Sequence, residues 1–345
     1  MSRPQFLATG IGSVPFAQAP QACEFINSVF KDDVPFWPQL PQRSFLENMS
    51  LQFSQNFPGI VIDEAEKRFF VDTAASNFSQ QVEACLQHYL DNDLDYFVLS
   101  GEYAAGLQAF LSLDEKLRDT AYVKGQIVGP VTFGLTVLDD KSRPVAYNAD
   151  LSECAAKLLG MKARWQIEKL KSVFPGKKII VFLDEPYLVS YGTSFFTLKR
   201  DEVIKRINEV VGAIHQAGAL AGIHCCGNTD WFLVLDTDLD ILSFDAFNYL
   251  DTFLIYRPRL KRFLDKGGCI AWGIVSNVNN EDWDRDVSAD NLFVILETKC
   301  RDLLRNTIFI TPSCGCGSLD LHFSKKVHTV AAELAAHFRH KYRGD

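Results

Sequence analysis

The stretch KKIIVFLDEPY (177–187), followed by RDEVIKRINEVVGAIHQA (200–217) and ALAGIHCC (219–226), decides the fold. Its first and last parts are short apolar runs bounded by charge, proline or glycine, which read as buried strands. The middle part carries apolar residues at three- and four-residue steps, the spacing of an amphipathic helix. Two strands joined by a helix lie parallel, because the helix returns the chain to the starting edge. Working outward, the same alternation recurs. Further candidate strands are FLATGI (6–11), LDYFVLS (94–100), YVKGQIV (122–128), LDILSFD (239–245), GCIAWGI (268–274) and TIFITPS (307–313). Helix-like segments cover 148–173, 250–266, 284–304 and 318–341. Eight strands, most separated by helices, predict an α/β chain folded as a (β/α)₈ TIM barrel, one catalytic domain over residues 1–345. A doubly wound open sheet is the structural rival.

The segment between the first two strands is long. Within it GIVID (59–63) and RFFVDT (68–73) flank a charged turn and predict a β-hairpin added to the barrel near its N-terminus. VPFWPQLPQR (34–43) is too rich in proline for a helix or a central strand, and is expected to be an irregular loop over the barrel mouth.

Reactive side chains of a TIM barrel gather where the strands end. The strand ends here supply Gly12 and Ser13, Glu102, Asp184, His224 with Cys226, Asp245 and Cys314. The third runs into Gly129-Pro130, and the seventh, ending in Gly273-Ile274-Val275-Ser276, offers nothing strongly reactive. Such a distribution points to an enzyme.

His224 and Cys226 stand two apart on an extended segment, so they share a face while Cys225 points elsewhere. An imidazole and a thiolate on one face make half of a tetrahedral site, and soft N/S donors favour zinc. Cys314 supplies a third donor from the eighth strand end, with Cys316 as the alternative within Cys-Gly-Cys, and Asp245 an oxygen from the sixth. An isolated His-x-Cys is also compatible with a buried thiol and a histidine bonded to a carbonyl; the placement of the other donors is what favours metal. A thiolate-rich zinc site suits activation of a thiol for alkyl transfer, with zinc-activated water as the rival use.

These residues resemble the catalytic barrel of cobalamin-independent methionine synthase and, more loosely, the zinc methyltransferases of the uroporphyrinogen decarboxylase superfamily. TGIGSVP (9–15), VLSGEY (98–103), VKGQIVGPVTF (123–133), LDEPY (183–187), HCC (224–226) and SCG (313–315) carry the resemblance, which spans nearly the whole chain. It implies that Ile11, Gly12 and Ser13 hold an amino acid substrate, that Glu102 and Asp184 bind homocysteine, and that His224, Cys226 and Cys314 hold zinc. Asp245 stands where the family has a glutamate ligand. No catalytic residue beyond the metal site is implied. Read without the resemblance, Gly12 serves a tight turn, Ser13 caps a helix, Glu102 faces a helix dipole and Asp184 belongs to a proline turn.

Two departures bear on the methyl carrier. FGLTVLDD (133–140) has no tryptophan to stack on a folate, and Val275 stands where the family has a histidine that protonates the departing folate. A corrinoid leaving group needs no such proton, so the expected carrier is a corrinoid, borne by a partner protein, and the expected product of homocysteine is methionine. Rival readings are a metal-free decarboxylase of the same superfamily, for which Arg43 is the available arginine, and a non-catalytic barrel that binds zinc or a corrinoid protein.

The net charge of −8, without any basic run, argues against a nucleic-acid partner. The N-terminal MSRPQFLATGIGSVPF lacks a signal-peptide core, and the most apolar stretch, 210–226, is too polar and short to span a bilayer. Nine cysteines, an odd number with two tightly spaced groups (Cys225 with Cys226, Cys314 with Cys316), fit a cytoplasmic chain with metal or redox chemistry better than a disulfide framework.

Overall fold

The computed structural model describes residues 5–113, 120–194 and 196–343. Nine strands are formed: β1 (Gln5–Ala8), β2 (Ile60–Asp63), β3 (Arg68–Val71), β4 (Tyr122–Val128), β5 (Lys178–Asp184), β6 (Leu220–Cys225), β7 (Ile241–Phe244), β8 (Cys269–Val275) and β9 (Thr307–Pro312). Seven of them make one curled parallel sheet in the order β1-β9-β8-β7-β6-β5-β4, and β2 and β3 pair antiparallel as the expected hairpin. This is a (β/α)₈ TIM-barrel-like fold. Among the described residues no helix is long and apolar enough to cross a membrane.

The gap between β1 and β4 is closed by the proline-rich segment, which corrects its reading as a loop over the mouth. Val34 N donates to Ala8 O at 3.0 Å, and Lys124 N donates to Pro35 O at 2.9 Å. Trp37 N then donates to Lys124 O at 3.2 Å and Gln39 N to Gly12 O at 3.0 Å. Residues 34–39 therefore act as the eighth stave, parallel to both neighbours. Pro35 and Pro38 lack donors, so the ladder is interrupted, which a two-sided stave tolerates where its other groups pair.

LDYFVLS (94–100), expected as the second barrel strand, forms a short 3₁₀ turn at Leu94–Phe97 and then an extended segment outside the sheet. Phe97 and Leu99 are buried, which produces the strand-like alternation. The backbone finds side-chain partners instead of a ladder. Val98 O accepts from Lys162 Nζ at 3.0 Å, Leu99 O from Gln108 Nε2 at 3.3 Å, and Gln55 Oε1 accepts from Ser100 N at 3.2 Å. The helix expected over 250–266 is two, Ala246–Leu254 and Arg257–Asp265, the second starting with Pro258 in its first turn.

Inside the barrel, side chains alternate along each strand and change character from one end to the other. The lower layer is apolar and includes Leu7, Tyr122, Ile180, Phe182, Ile241 and Phe309. One step further along the same strands come Lys124, Asp184, His224, Ser243 and Thr311, all buried. The larger apolar core lies between the sheet and the helices. At that depth His224 bonds Ser243 and Lys124 bonds Ile11 O, while Asp184 Oδ1 and Thr311 Oγ1 are left without partners, an arrangement that points to a site rather than to a sealed core.

Candidate metal centre and its cavity

His224 lies within β6 and Cys226 one residue past it, so both face the barrel axis, while Cys225 is buried in the outer core with Sγ on Gly227 O. Cys314 arrives from the turn after β9. The donor atoms of His224, Cys226 and Cys314 all lie within 4.8 Å of one another. His224 Nδ1 meets Ser243 Oγ at 2.9 Å, and Nε2 is buried without a hydrogen-bond partner. Donation from Nδ1 to Ser243 Oγ would leave Nε2 with its lone pair, the way a neighbouring group sets the tautomer of a ligating histidine. Burial, helped by the Lys124 ammonium, pushes the imidazole down to about 3, so it is neutral at physiological pH. A hydrogen bond from Cys314 draws the Cys226 thiol down to about 7, and the same contact raises that of Cys314. An orphaned buried nitrogen facing two thiols fits a thiophilic ion such as zinc.

Asp245 is not in that cluster. Its Oδ1 accepts from Asn248 N at 2.9 Å and its Oδ2 from Asn248 Nδ2 at 2.7 Å, which caps the helix Ala246–Leu254. Cys316 is buried, with its Sγ on Cys314 O.

The cluster forms one wall of a cavity of about 330 Å³ at the C-terminal end of the strands, which Ile11, Ser13 and Asp184 also line. Asp184 is 6% exposed and its Oδ1 has no partner. Burial pushes its carboxyl up to about 7, against the pull of Lys124. Lys124 itself is sealed beneath, with Nζ on Ile11 O at 2.6 Å and near the ring of Phe182. Next to Asp184, Glu185 turns away and receives Val131 N at 3.0 Å and Thr132 N at 2.8 Å, holding the N-terminus of the helix Pro130–Thr136 against β5.

Ser13 does not cap a helix. Its carbonyl accepts from Cys316 N at 3.0 Å and its Oγ from Gly317 N at 3.2 Å, locking the loop after β1 to the loop carrying Cys314. Gly12 is needed for close approach, since a Cβ there would stand 2.7 Å from Gln39 Oε1. Glu102 is exposed and outside the cavity lining; its carbonyl accepts from Arg43. The carboxylate that lines the cavity on that side is Glu47, fully buried and receiving Leu40 N at 2.9 Å together with the Arg43 guanidinium. Glu47, Gln39, Pro41 and Met49 all come from the proline-rich stave and the turn after it. Gln39 and Pro41 lie in the stretch read as an irregular loop (34–43) and Glu47 and Met49 just past it, so sequence reasoning missed all four; the i, i+4 spacing of Arg43 and Glu47 was the available signal.

No family model matches the chain, and no curated protein does. Solved structures similar to it include a B12-independent methionine synthase from Shewanella sp. W3-18-1 in complex with selenomethionine, at 18% identity, 68% of each chain and a TM-score of 0.45. A putative vitamin-B12-independent methionine synthase from Listeria monocytogenes aligns over 98% of this chain and 99% of its own, at 13% identity and a TM-score of 0.55. A catalytic module of the pneumococcal exo-beta-D-N-acetylglucosaminidase aligns over 96% of this chain and 84% of its own, at 10% identity and a TM-score of 0.46. At these identities the full-length likeness to the Listeria protein establishes the barrel fold, which hosts unrelated chemistries.

Proposed function

We propose that this chain is a zinc-dependent methyltransferase that moves a methyl group between a thiol, homocysteine first, and a methyl carrier, preferably a corrinoid borne by a partner protein. The observation that carries the reading is the convergence of His224 Nε2, Cys226 and Cys314 on a small cavity beside the unpartnered oxygen of Asp184. Zinc in such a set would take an incoming thiol as its thiolate, a form able to displace a methyl group from a carrier that leaves with the electron pair.

The chain's own residues prepare that event. Ser243 fixes the His224 ring, and burial keeps it neutral. Asp184 Oδ1 is placed to accept from an amino group, and Ile11 and Ser13 line the same cavity. Pro41, Met49 and Pro186 line the cavity and limit water. Val275 is buried and carries no proton to give, which favours a carrier whose departure needs none. The decarboxylase reading loses its arginine, because Arg43 is engaged by Glu47 and the Glu102 carbonyl, and no arginine lines the described cavity. The nine free cysteines and the net charge of −8 support a cytoplasmic chain without a nucleic-acid or membrane partner.

Metal analysis of the purified chain, followed by methylcobalamin demethylation with a panel of thiols, tests the reading. Zinc bound by the wild type and lost in His224→Ala/Cys226→Ala, with methyl transfer to a thiol, is expected. Zinc retained in the double variant would sink the site assignment. Zinc bound without transfer to any thiol would favour the non-catalytic barrel, and turnover with methyltetrahydrofolate alone would overturn the carrier.

A further inference from the structure

Of the three donors, Cys314 has the least local support. His224 is inside β6 and Cys226 one residue beyond it, whereas Cys314 is two residues past β9 in the run Ser313-Cys314-Gly315-Cys316-Gly317. The two glycines are required by close approach. A Cβ on Gly315 would stand 2.3 Å from Ser13 Oγ, and one on Gly317 would stand 2.7 Å from Pro41. Glycine also has the most backbone freedom to lose, so a loop that must be slim is intrinsically loose. Something outside it has to hold it.

On the cavity side Ser13 does so, through Cys316 N and Gly317 N. On the other side the contacts converge on Asn277. Asn277 N donates to Ser313 Oγ at 3.2 Å, and Ser313 Oγ donates to Asn277 Oδ1 at 2.9 Å. Asn277 Nδ2 donates to Gly315 O at 3.0 Å. Asn277 thus grips the residues on both sides of Cys314 and uses its amide as both donor and acceptor. The grip is itself anchored. Ser313 N donates to Val275 O at 2.8 Å, Trp283 Nε1 to Ser276 O at 2.8 Å, and Val278 N to Ser276 Oγ at 3.2 Å. Asn277 is not among the cavity-lining residues.

We propose that Asn277 is a positioning residue that fixes the Cys314 thiol against Cys226 and His224. The inference rests on the metal reading above for its consequence, tight zinc binding, but the placement of the thiol is a property of the chain alone. The side chain lies outside the cavity lining; it removes the freedom that two glycines would otherwise give the loop.

Three measurements on the whole chain test this in Asn277→Ala and in Ser313→Ala, which removes both contacts made through Ser313 Oγ and keeps the one to Gly315 O. Zinc affinity, measured by competition with a chromophoric chelator, is expected to fall ~10–100-fold in Asn277→Ala, the range for groups that orient metal ligands. Cobalt(II) substitution should show sulfur-to-metal charge-transfer intensity falling toward that of Cys314→Ala. Without metal, a thiol-bridging bimane reagent should join Cys226 to Cys314 less efficiently than in the wild type, read by peptide mapping. Asn277→Asp keeps the acceptor for Ser313 and loses the donor to Gly315, so it should fall between. Wild-type zinc binding with all three readouts unchanged in both alanine variants overturns the role of Asn277 and leaves the metal reading standing. A wild type that takes no zinc, with bridging reduced in the variants, sinks the metal reading while supporting the clamp.

Discussion

The two sides of this barrel build one cavity by different means. From Tyr122 onward the chain runs strand, helix, strand with little interruption, and inward-facing residues follow strict alternation to Lys124, Asp184, His224 and Ser243. From Val34 to Leu113 it is irregular: a stave broken by prolines, three 3₁₀ turns, a hairpin, two helices and an extended segment packed outside the sheet. The regular side supplies the metal donors and the carboxylate beside them, while the irregular side supplies Gln39, Pro41, Glu47 and Met49 as the facing wall. A repeating ladder places a few side chains accurately, and an irregular segment can shape a wall around them without disturbing that placement.

If the proline-rich segment is a true stave, the irregular side is as firmly part of the core as the regular one. Trp37 is fully buried, with Nε1 on Gln166 Oε1 at 3.1 Å. Trp37→Ala should therefore lower unfolding free energy by about 3–5 kcal/mol in urea titrations. A change within about 0.5 kcal/mol, as expected of a surface loop, would break the comparison.

A smaller effect tests how the segment 94–100 is held. Lys162 is fully buried beneath it, with Nζ on Val98 O, and burial pushes its ammonium down to about 7. The native value is below the unfolded one of 10.5, so between them the unfolded chain holds a proton that the native chain lacks. Stability from this group must rise with pH across that window, by at most about 1.4 kcal/mol per pH unit, and is flat below it where both states are protonated. Lys162→Met should flatten that part of the profile and stabilise the chain at neutral pH. An unchanged slope between wild type and variant would mean that Lys162 keeps its charge on folding and that the segment sits more openly than described.

These two residues also show why the regular side was legible in the sequence and the irregular side was not. In β4 to β9 each strand carries its own evidence, because period-two alternation, a short apolar run and a polar residue at the end all agree. His224 and Cys226 could be placed on one face from their spacing alone. The stave around Trp37 breaks the local rule, since proline argues against a strand, yet two flanking strands bind the groups that remain. The alternation of Phe97 and Leu99 is real, but it is the same for a strand as for an extended segment lying on a helix. What decides between them is the partner of Val98 O, a lysine from a distant helix, and no local pattern contains that. Glu102 and Glu47 differ for the same reason. The resemblance puts Glu102 in a segment that lies elsewhere, and Glu47 sits in a short 3₁₀ turn just past the proline-rich stretch, where no strand or helix pattern marks it.

Asp245 gives the smallest expected effect and the finest distinction within the regular side. It ends β7 just as Asp184 ends β5, yet both its oxygens are committed to Asn248 at the start of the helix Ala246–Leu254, while Asp184 keeps one free. An oxygen already holding a helix N–H is a poor candidate for a second partner, and aspartate lacks the methylene that would carry it further into the cavity. Asparagine caps helices about as well as aspartate, whereas alanine does not. Asp245→Asn should therefore keep both stability and zinc affinity. Asp245→Ala should lose about 1 kcal/mol of stability, with zinc still bound. If Asp245→Asn instead loses zinc while remaining fully folded, the carboxylate must leave its cap to reach the metal, and the helix after β7 would have to shift as it does so.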